Sequence, residues 1–191
     1  MMQIPLFKPQ TEWLPPESFP DLSKYDEIAI DLETKDPDLM KMGSGSVVGN
    51  GDVVGIALAV DGWRGYYPIA HEGGGNMDRK KVLKWFQEIL SLPSPKIFHN
   101  AMYDVAWIRA LGLSINGKNE SDLYQAAKDW GVDAKAEMYK LPAIYVGAYA
   151  EQDASVTLDL WKELKKEIDL QDINSIMDME TELFPCLVDM K

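Results

Sequence analysis

The chain has 191 residues, 46% of them hydrophobic, and a formal net charge of −12. That length suffices for one well-buried domain with extra at its ends, and the composition excludes a disordered chain. The acidic balance excludes a protein that grips nucleic acid through a broad basic surface, but not an acidic cleft whose bound cations invert the local charge.

Residues 1–24 are proline-rich and aperiodic, and read as an extended arm or linker. The stretch 27–33 reads as a strand with Ile28, Ile30 and Leu32 on one face and Ala29, Asp31 and Glu33 on the other. Asp31 and Glu33 are either the strand running out into a polar loop or half of a divalent-metal site. The same D-x-E spacing recurs at Asp178 and Glu180 without a preceding strand. The loop 35–52 is glycine-rich, but no G-K-[ST] and no following helix mark it as a phosphate cradle, so it reads as a mobile hairpin connection. Strands over 53–60 and 65–69 follow, Pro68 placing the latter at an edge or end. The close spacing of these three strands indicates an antiparallel meander.

An amphipathic helix is expected over 78–90, capped by Asn76 or Asp78, with Val82, Leu83, Trp85, Phe86, Ile89 and Leu90 at helical spacing. Arg79, Lys80, Lys81 and Lys84 form a solvated basic face on it. A short strand at 96–98 delivers His99 to Asp104. A helix then runs to about Leu111, ended by Gly112, and Asn116-Gly117 signals a turn. Residues 119–130 read as a helix capped by Asn119 or Ser121, 134–140 as a shorter one, about 144–170 as a long helix and 171–191 as a last one. Cys186 lies among Leu183, Phe184, Leu187 and Val188 and reads as a buried, inert thiol. As the one cysteine it excludes an intramolecular disulfide and a thiolate zinc cluster. The element order indicates an α/β fold, a mixed sheet with helices packed on it. No apolar run approaches the ~20 residues of a membrane helix and no secretory signal pattern opens the chain, so a cytoplasmic protein without a membrane partner is expected.

Three acidic clusters carry the chemistry. They are Asp31 with Glu33, Asp104 at the opening of a helix, and Asp153, one turn after Tyr149. Tyr149, Asp153, Val156, Leu160 and Leu164 form a stripe at helical spacing, which points Asp153 inward, where an unpaired charge is costly. Either a buried arginine or a metal accounts for it, and none of Arg64, Arg79 and Arg109 is placed for the former. His71 and His99 cannot make a two-histidine metal motif, so oxygen ligands and Mg²⁺ or Mn²⁺ are favoured. Four carboxylates match what a two-metal phosphodiesterase requires.

Asp31-Leu32-Glu33-Thr34, Asn100-Ala101-Met102-Tyr103-Asp104 and Tyr149-Ala150-Glu151-Gln152-Asp153, in that order, resemble the three motifs of the DEDD-type, ribonuclease-H-like 3′–5′ exonucleases. The variant is the tyrosine one (DEDDy), because Tyr149 precedes Asp153 by four. The N-x-x-Y-D form, with Thr34 after Glu33, is most similar to the proofreading domain of a phage or bacterial family A DNA polymerase. The resemblance spans about residues 25–170 and implies a ribonuclease-H-like mixed sheet, the antiparallel meander plus parallel strands, flanked by helices. It implies that Asp31, Glu33 and Asp153 bind one Mg²⁺ (or Mn²⁺) and that Asp31 bridges to a second, held through water by Asp104. Tyr149 would position the attacking water, and Thr34, Asn100 and Tyr103 would contact the terminal nucleotides. Met102 and Phe98 are either packing partners of the 3′ base or ordinary core.

The implied activity is hydrolysis of the 3′-terminal phosphodiester of single-stranded or mispaired DNA, releasing 5′-mononucleotides, in the cytoplasm of a bacterial host if the source is a phage. An RNA-trimming exonuclease of the ribonuclease D kind, or a non-catalytic scaffold within a polymerase, are the alternatives. Residues 171–191 resemble the connection to a polymerase thumb that is absent from this chain. Between the second and third motifs the interval is short against the family pattern by about a strand and a helix.

Overall fold

The structure, a computed structural model, describes residues 12–115, 119–122 and 143–190. Its frame is a five-stranded sheet in the order β3-β2-β1-β4-β5. β1 (Ile28–Lys35), β2 (Asp52–Val60) and β3 (Trp63–Pro68) form the antiparallel meander, with β3 at an edge and Pro68 as its last residue. β4 (Lys96–Phe98) pairs parallel to β1, and β5 (Asn119–Asp122) parallel to β4. The β1–β2 register slips between Glu33 and Thr34, leaving Val54 as the extra residue of a bulge. Such bulges bend a strand and re-aim side chains next to functional sites.

β5 corrects two expectations. Residues 119–122 are strand and not the start of a helix, and the strand thought missing after the second motif is present. The sequence Asn119-Glu120-Ser121-Asp122 has little strand propensity of its own, so pairing with β4 decides it. The turn at 116–117, the rest of the 119–130 helix and the 134–140 helix lie outside the described residues, as do residues 1–11 of the arm.

The two faces of the sheet are covered differently. On one, Ile28, Ile30 and Leu32 pack with α3 (Arg79–Leu90) and α4 (Ala101–Ala110) in the larger core cluster. Asp78 caps α3 by accepting from the Lys80 and Lys81 amides, while Asn76 is used elsewhere. Phe98 is fully buried in this cluster, whereas Met102 is only partly buried against it. On the other face the strands present small residues, Ala29, Ala57 and Ala59, to Val146, Ala150, Ala154, Leu158 and Trp161 of α5 (Ala143–Leu170). Small residues on both sides bring this helix close to the sheet. A larger residue at Ala150 or Ala154 overpacks the contact, at a cost of roughly 1–3 kcal/mol.

The buried stripe of α5 therefore differs from the one expected. Val156 is 50% exposed and Tyr149 38% exposed, while Ala150, Ala154 and Leu158 face the sheet. Counting large hydrophobics favours the wrong stripe when the true interface is built from alanines. Asp153 lies at the border between the two faces, half-buried.

The loop after β1 is ordered into two single-turn helices, α1 (Leu39–Met42) and α2 (Gly45–Val48), rather than left as a plain hairpin connection. Asp36 organises it by accepting the Gly45 amide on both carboxylate oxygens at 3.0 Å. α6 (Asn174–Asp189) follows α5 after Asp172, the non-glycine residue with positive φ (53°) among those described. Phe184 and Val188 are buried, but Cys186 is exposed, not the buried thiol expected. No helix of the described residues is long and apolar enough to cross a membrane.

Candidate active site

β1 carries the first two carboxylates outward on the α5 side. The β1–β4 ladder ends at the Ile30–Phe98 pair, just before Asp31. α5 supplies the third carboxylate. Oxygens of Asp31, Glu33 and Asp153 all lie within 4.8 Å of one another. Glu33 is 8% exposed and the other two half-buried. At that spacing each pair repels by roughly 1 kcal/mol even in water, and by several times that in a partly desolvated site. Three convergent carboxylates with oxygen-only donors fit a hard divalent cation such as Mg²⁺ or Mn²⁺.

Asp104 comes from the first turn of α4, where the helix N-terminus favours an anion. It is 4% exposed and lies outside the group of three. Burial first, and the Asp31 charge second, push its carboxyl well above the usual carboxylate range, with Glu33 adding to this and the Leu32 backbone N–H pulling the other way. The four acids named from the sequence are thus one electrostatic group, three in mutual reach and the fourth next to Asp31. Tyr149, one helical turn before Asp153, is 38% exposed.

Thr34 and Tyr103 meet. Their hydroxyls are 2.7 Å apart, and the Tyr103 hydroxyl also donates to Asp36 Oδ2 at 3.0 Å. Burial raises the Tyr103 phenol, so it stays protonated. Because the same Asp36 holds the Gly45 amide, the loop with α1 and α2 is tied to the rim of the acidic site. Asn100 precedes α4 without capping it, and its buried Oδ1 has no hydrogen-bond partner among the described residues. An orphaned buried acceptor at a site rim suits a ligand donor.

Other contributors are not legible as motifs. Glu151 Oε1 accepts the Trp13 indole N–H at 2.7 Å and the Tyr66 backbone N–H at 3.1 Å, fastening the arm and the edge strand to α5. Trp13 occupies the space over Gly147, where a Cβ would come within 2.1 Å of its ring. Lys96, the first residue of β4, is fully buried, its ammonium donating to the carbonyls of Leu92 and Ser94, and burial lowers its pKa to about 8. A lysine opening a three-residue strand gives no sign of this in the sequence.

No family model matches the chain. It is 31% identical over 230 residues to a DNA-directed DNA polymerase of Pseudomonas phage M6, covering all of this chain and 35% of that protein. It is 24% identical over 210 residues to DNA polymerase DpoZ of Salmonella phage PMBT28, covering 90% of this chain and 31% of that protein. The chain therefore spans about a third of the length of these relatives. The first alignment is longer than the 191 residues of this chain, so within the matched region that relative carries residues this chain lacks. Among solved structures, NrnC of Brucella melitensis bound to pGG superposes with a TM-score of 0.55 at 15% identity, covering 89% of this chain and 86% of that one. NrnC with bound Mg²⁺ gives 0.52 at 14% identity, with 89% and 87% covered. The catalytic core of RRP6 from Trypanosoma brucei gives 0.50 at 20% identity, with 83% and 46% covered. The chain thus shares its fold with NrnC and the RRP6 catalytic core, and its relatives in sequence are DNA polymerases of phages.

Proposed function

We propose that the chain hydrolyses the 3′-terminal phosphodiester of single-stranded or mispaired DNA, with two divalent cations, releasing 5′-mononucleotides. The observation that carries this is the convergence of Asp31, Glu33 and Asp153 within 4.8 Å, with the buried Asp104 held up in pKa by burial and by the Asp31 charge. Asp31, Glu33 and Asp153 would hold one cation, and Asp31 and Asp104 the other. Bound there, the cations supply Lewis-acid chemistry, acidifying the attacking water and stabilising the leaving oxygen. The chain's own groups do the rest. The Tyr149 hydroxyl orients the water, and the Thr34–Tyr103 pair and Asn100 hold the terminal nucleotide against the acids. A general base of tuned pKa is not required, which suits a site built from carboxylates and phenols.

The DNA polymerase relatives support deoxy ends fed from a polymerase active site over the RNA-trimming alternative. Residues 25–170 form the exonuclease domain in this proposal. The described part of the 1–24 arm, residues 12–24, packs on it, and α6 leads toward the thumb of the polymerase in the full-length chain, in the cytoplasm of a phage's bacterial host. Exposed Ile176, Met179, Leu183 and Leu187 on α6 are consistent with that role.

The test is a 3′-mismatched, 5′-labelled DNA primer incubated with the chain and Mg²⁺, beside an RNA strand of the same sequence. A ladder of DNA shortened one nucleotide at a time, lost in Asp153→Asn, is expected. Absence of shortening with either Mg²⁺ or Mn²⁺, or faster removal from the RNA, would count against the proposal.

A further inference from the structure

Gly55 sits in the middle of β2 with every neighbour of its face buried, and its φ is not in the positive region that calls for glycine. A glycine there weakens a strand and marks close approach by another group. That group is the Tyr66 hydroxyl, since a Cβ on Gly55 would stand 1.9 Å from Tyr66 Oη. The registers say where this puts the phenol. Asp31, Ala57 and Tyr66 lie in one row across β1, β2 and β3, and Glu33 lies directly across from Gly55. Residues directly opposite share a face, with Cβ atoms roughly 4.5–5.5 Å apart. Tyr66 thus lies flat over the small Ala57 and Gly55, its hydroxyl occupying the place of the side chain opposite Glu33. Burial, and after it the charges of Glu33 and Asp31, raise the phenol far above its ordinary value, so it keeps its proton.

On its other side the hydroxyl meets His71, with Tyr66 Oη 2.5 Å from Nε2. His71 is 3% exposed, and its backbone is pinned by Asn76, whose Oδ1 accepts the His71 amide at 2.7 Å and whose Nδ2 donates to the His71 carbonyl at 2.8 Å. Merely filling this space would take less, because a phenylalanine over an alanine strand buries equal area without a buried hydroxyl and imidazole to satisfy.

We propose that Tyr66 and His71 form a buried positioning pair for Glu33. The His71 Nε2–H donates to Tyr66 Oη, which turns the phenolic proton toward the Glu33 carboxylate and fixes its orientation for the cation. The inference rests on the metal-dependent reading above. Outer-shell partners of this kind are worth roughly 10–100-fold in metal affinity.

The experiment is Mn²⁺ titration of the whole chain by calorimetry, with primer shortening followed as a function of Mn²⁺ concentration. Tyr66→Phe keeps the ring and loses the hydroxyl, and His71→Leu loses the donor. Each is expected to weaken Mn²⁺ binding about tenfold and to shift the Mn²⁺ dependence of activity by the same factor, with activity returning at saturating metal. His71→Gln keeps a donor and is expected to bind as the parent does. The double variant Tyr66→Phe/His71→Leu is expected to lose no more than either single one, because both act through one hydroxyl. Parental affinity in Tyr66→Phe, or losses that add in the double variant, overturns the pair. Should Tyr66→Phe fail to fold, His71→Leu against His71→Gln decides alone, equal affinities overturning it. If the parent and Asp153→Asn both bind no Mn²⁺, the metal-dependent reading itself fails, an outcome separate from a parent that binds and a Tyr66→Phe that binds equally.

Discussion

Replacing Asp31 by Asn is expected to make the metal-free protein more stable, although it destroys the site. Asp31 lies within 4.8 Å of both Glu33 and Asp153. Each repulsion at that distance is about 0.9 kcal/mol in water and about 3.5 kcal/mol at an effective dielectric constant of 20. Asp31 and Asp153 are half-buried, so the lower value governs, and removal of two repulsions contributes about 2 kcal/mol. For a chain of this size that is a rise in Tm of about 4–8 °C. The assay is thermal unfolding in EDTA at neutral pH and low salt, repeated with excess Mg²⁺. In metal the order reverses, since ligand at 100 times its Kd stabilises the parent by about 2.7 kcal/mol and the variant far less. Salt should narrow the EDTA difference. A lower Tm for Asp31→Asn in EDTA, with equal gains on adding Mg²⁺, refutes the reasoning that these acids are an electrostatic cluster kept for a cation.

Tyr103→Phe removes the links to Thr34 and Asp36. It should lower stability by about 1–2 kcal/mol and raise KM for primer several-fold with a smaller change in kcat; an unchanged KM would separate this network from substrate binding. Lys96 has its pKa lowered by burial from 10.5 to about 8, so between those values the unfolded chain holds more protons and stability rises with pH. Below about 8 both states are protonated and the burial penalty is present in full. Lys96→Met should therefore be more stable than the parent at pH 7, the difference shrinking toward pH 10; melting curves that stay parallel across that window contradict this. Gly147→Ala should displace the Trp13 ring, with an overpacking cost of roughly 1–3 kcal/mol, and adding Trp13→Ala to it should cost little more in the same melts.

The metal-ligand candidates were legible because their chemistry is expensive. Acids at the end of an apolar strand and at a helix start stand out against their surroundings, and their order along the chain is specific. The sheet centre was legible for a related reason, since VVGIALAV can only be a buried strand. β5 was not, because Asn119-Glu120-Ser121-Asp122 has no apolar pattern and is a strand through its partner alone. The face of α5 was misread because alanines, not leucines, meet the sheet there. The supporting groups, Tyr66 with His71 and Asp36 with Tyr103, join residues through sheet register and loop return, which no local spacing records. Gly55 is the visible trace of the Tyr66 placement alone, a glycine where a strand has no conformational need for it.

The most direct measurement is anomalous diffraction from crystals of the chain soaked in Mn²⁺. Two peaks are expected, one ligated by Asp31, Glu33 and Asp153 and one shared between Asp31 and the side of Asp104, and both should vanish in Asp31→Asn. Crystals without a peak at these carboxylates, or a peak that survives that substitution unchanged, would contradict the assignment of Asp31 as the shared ligand.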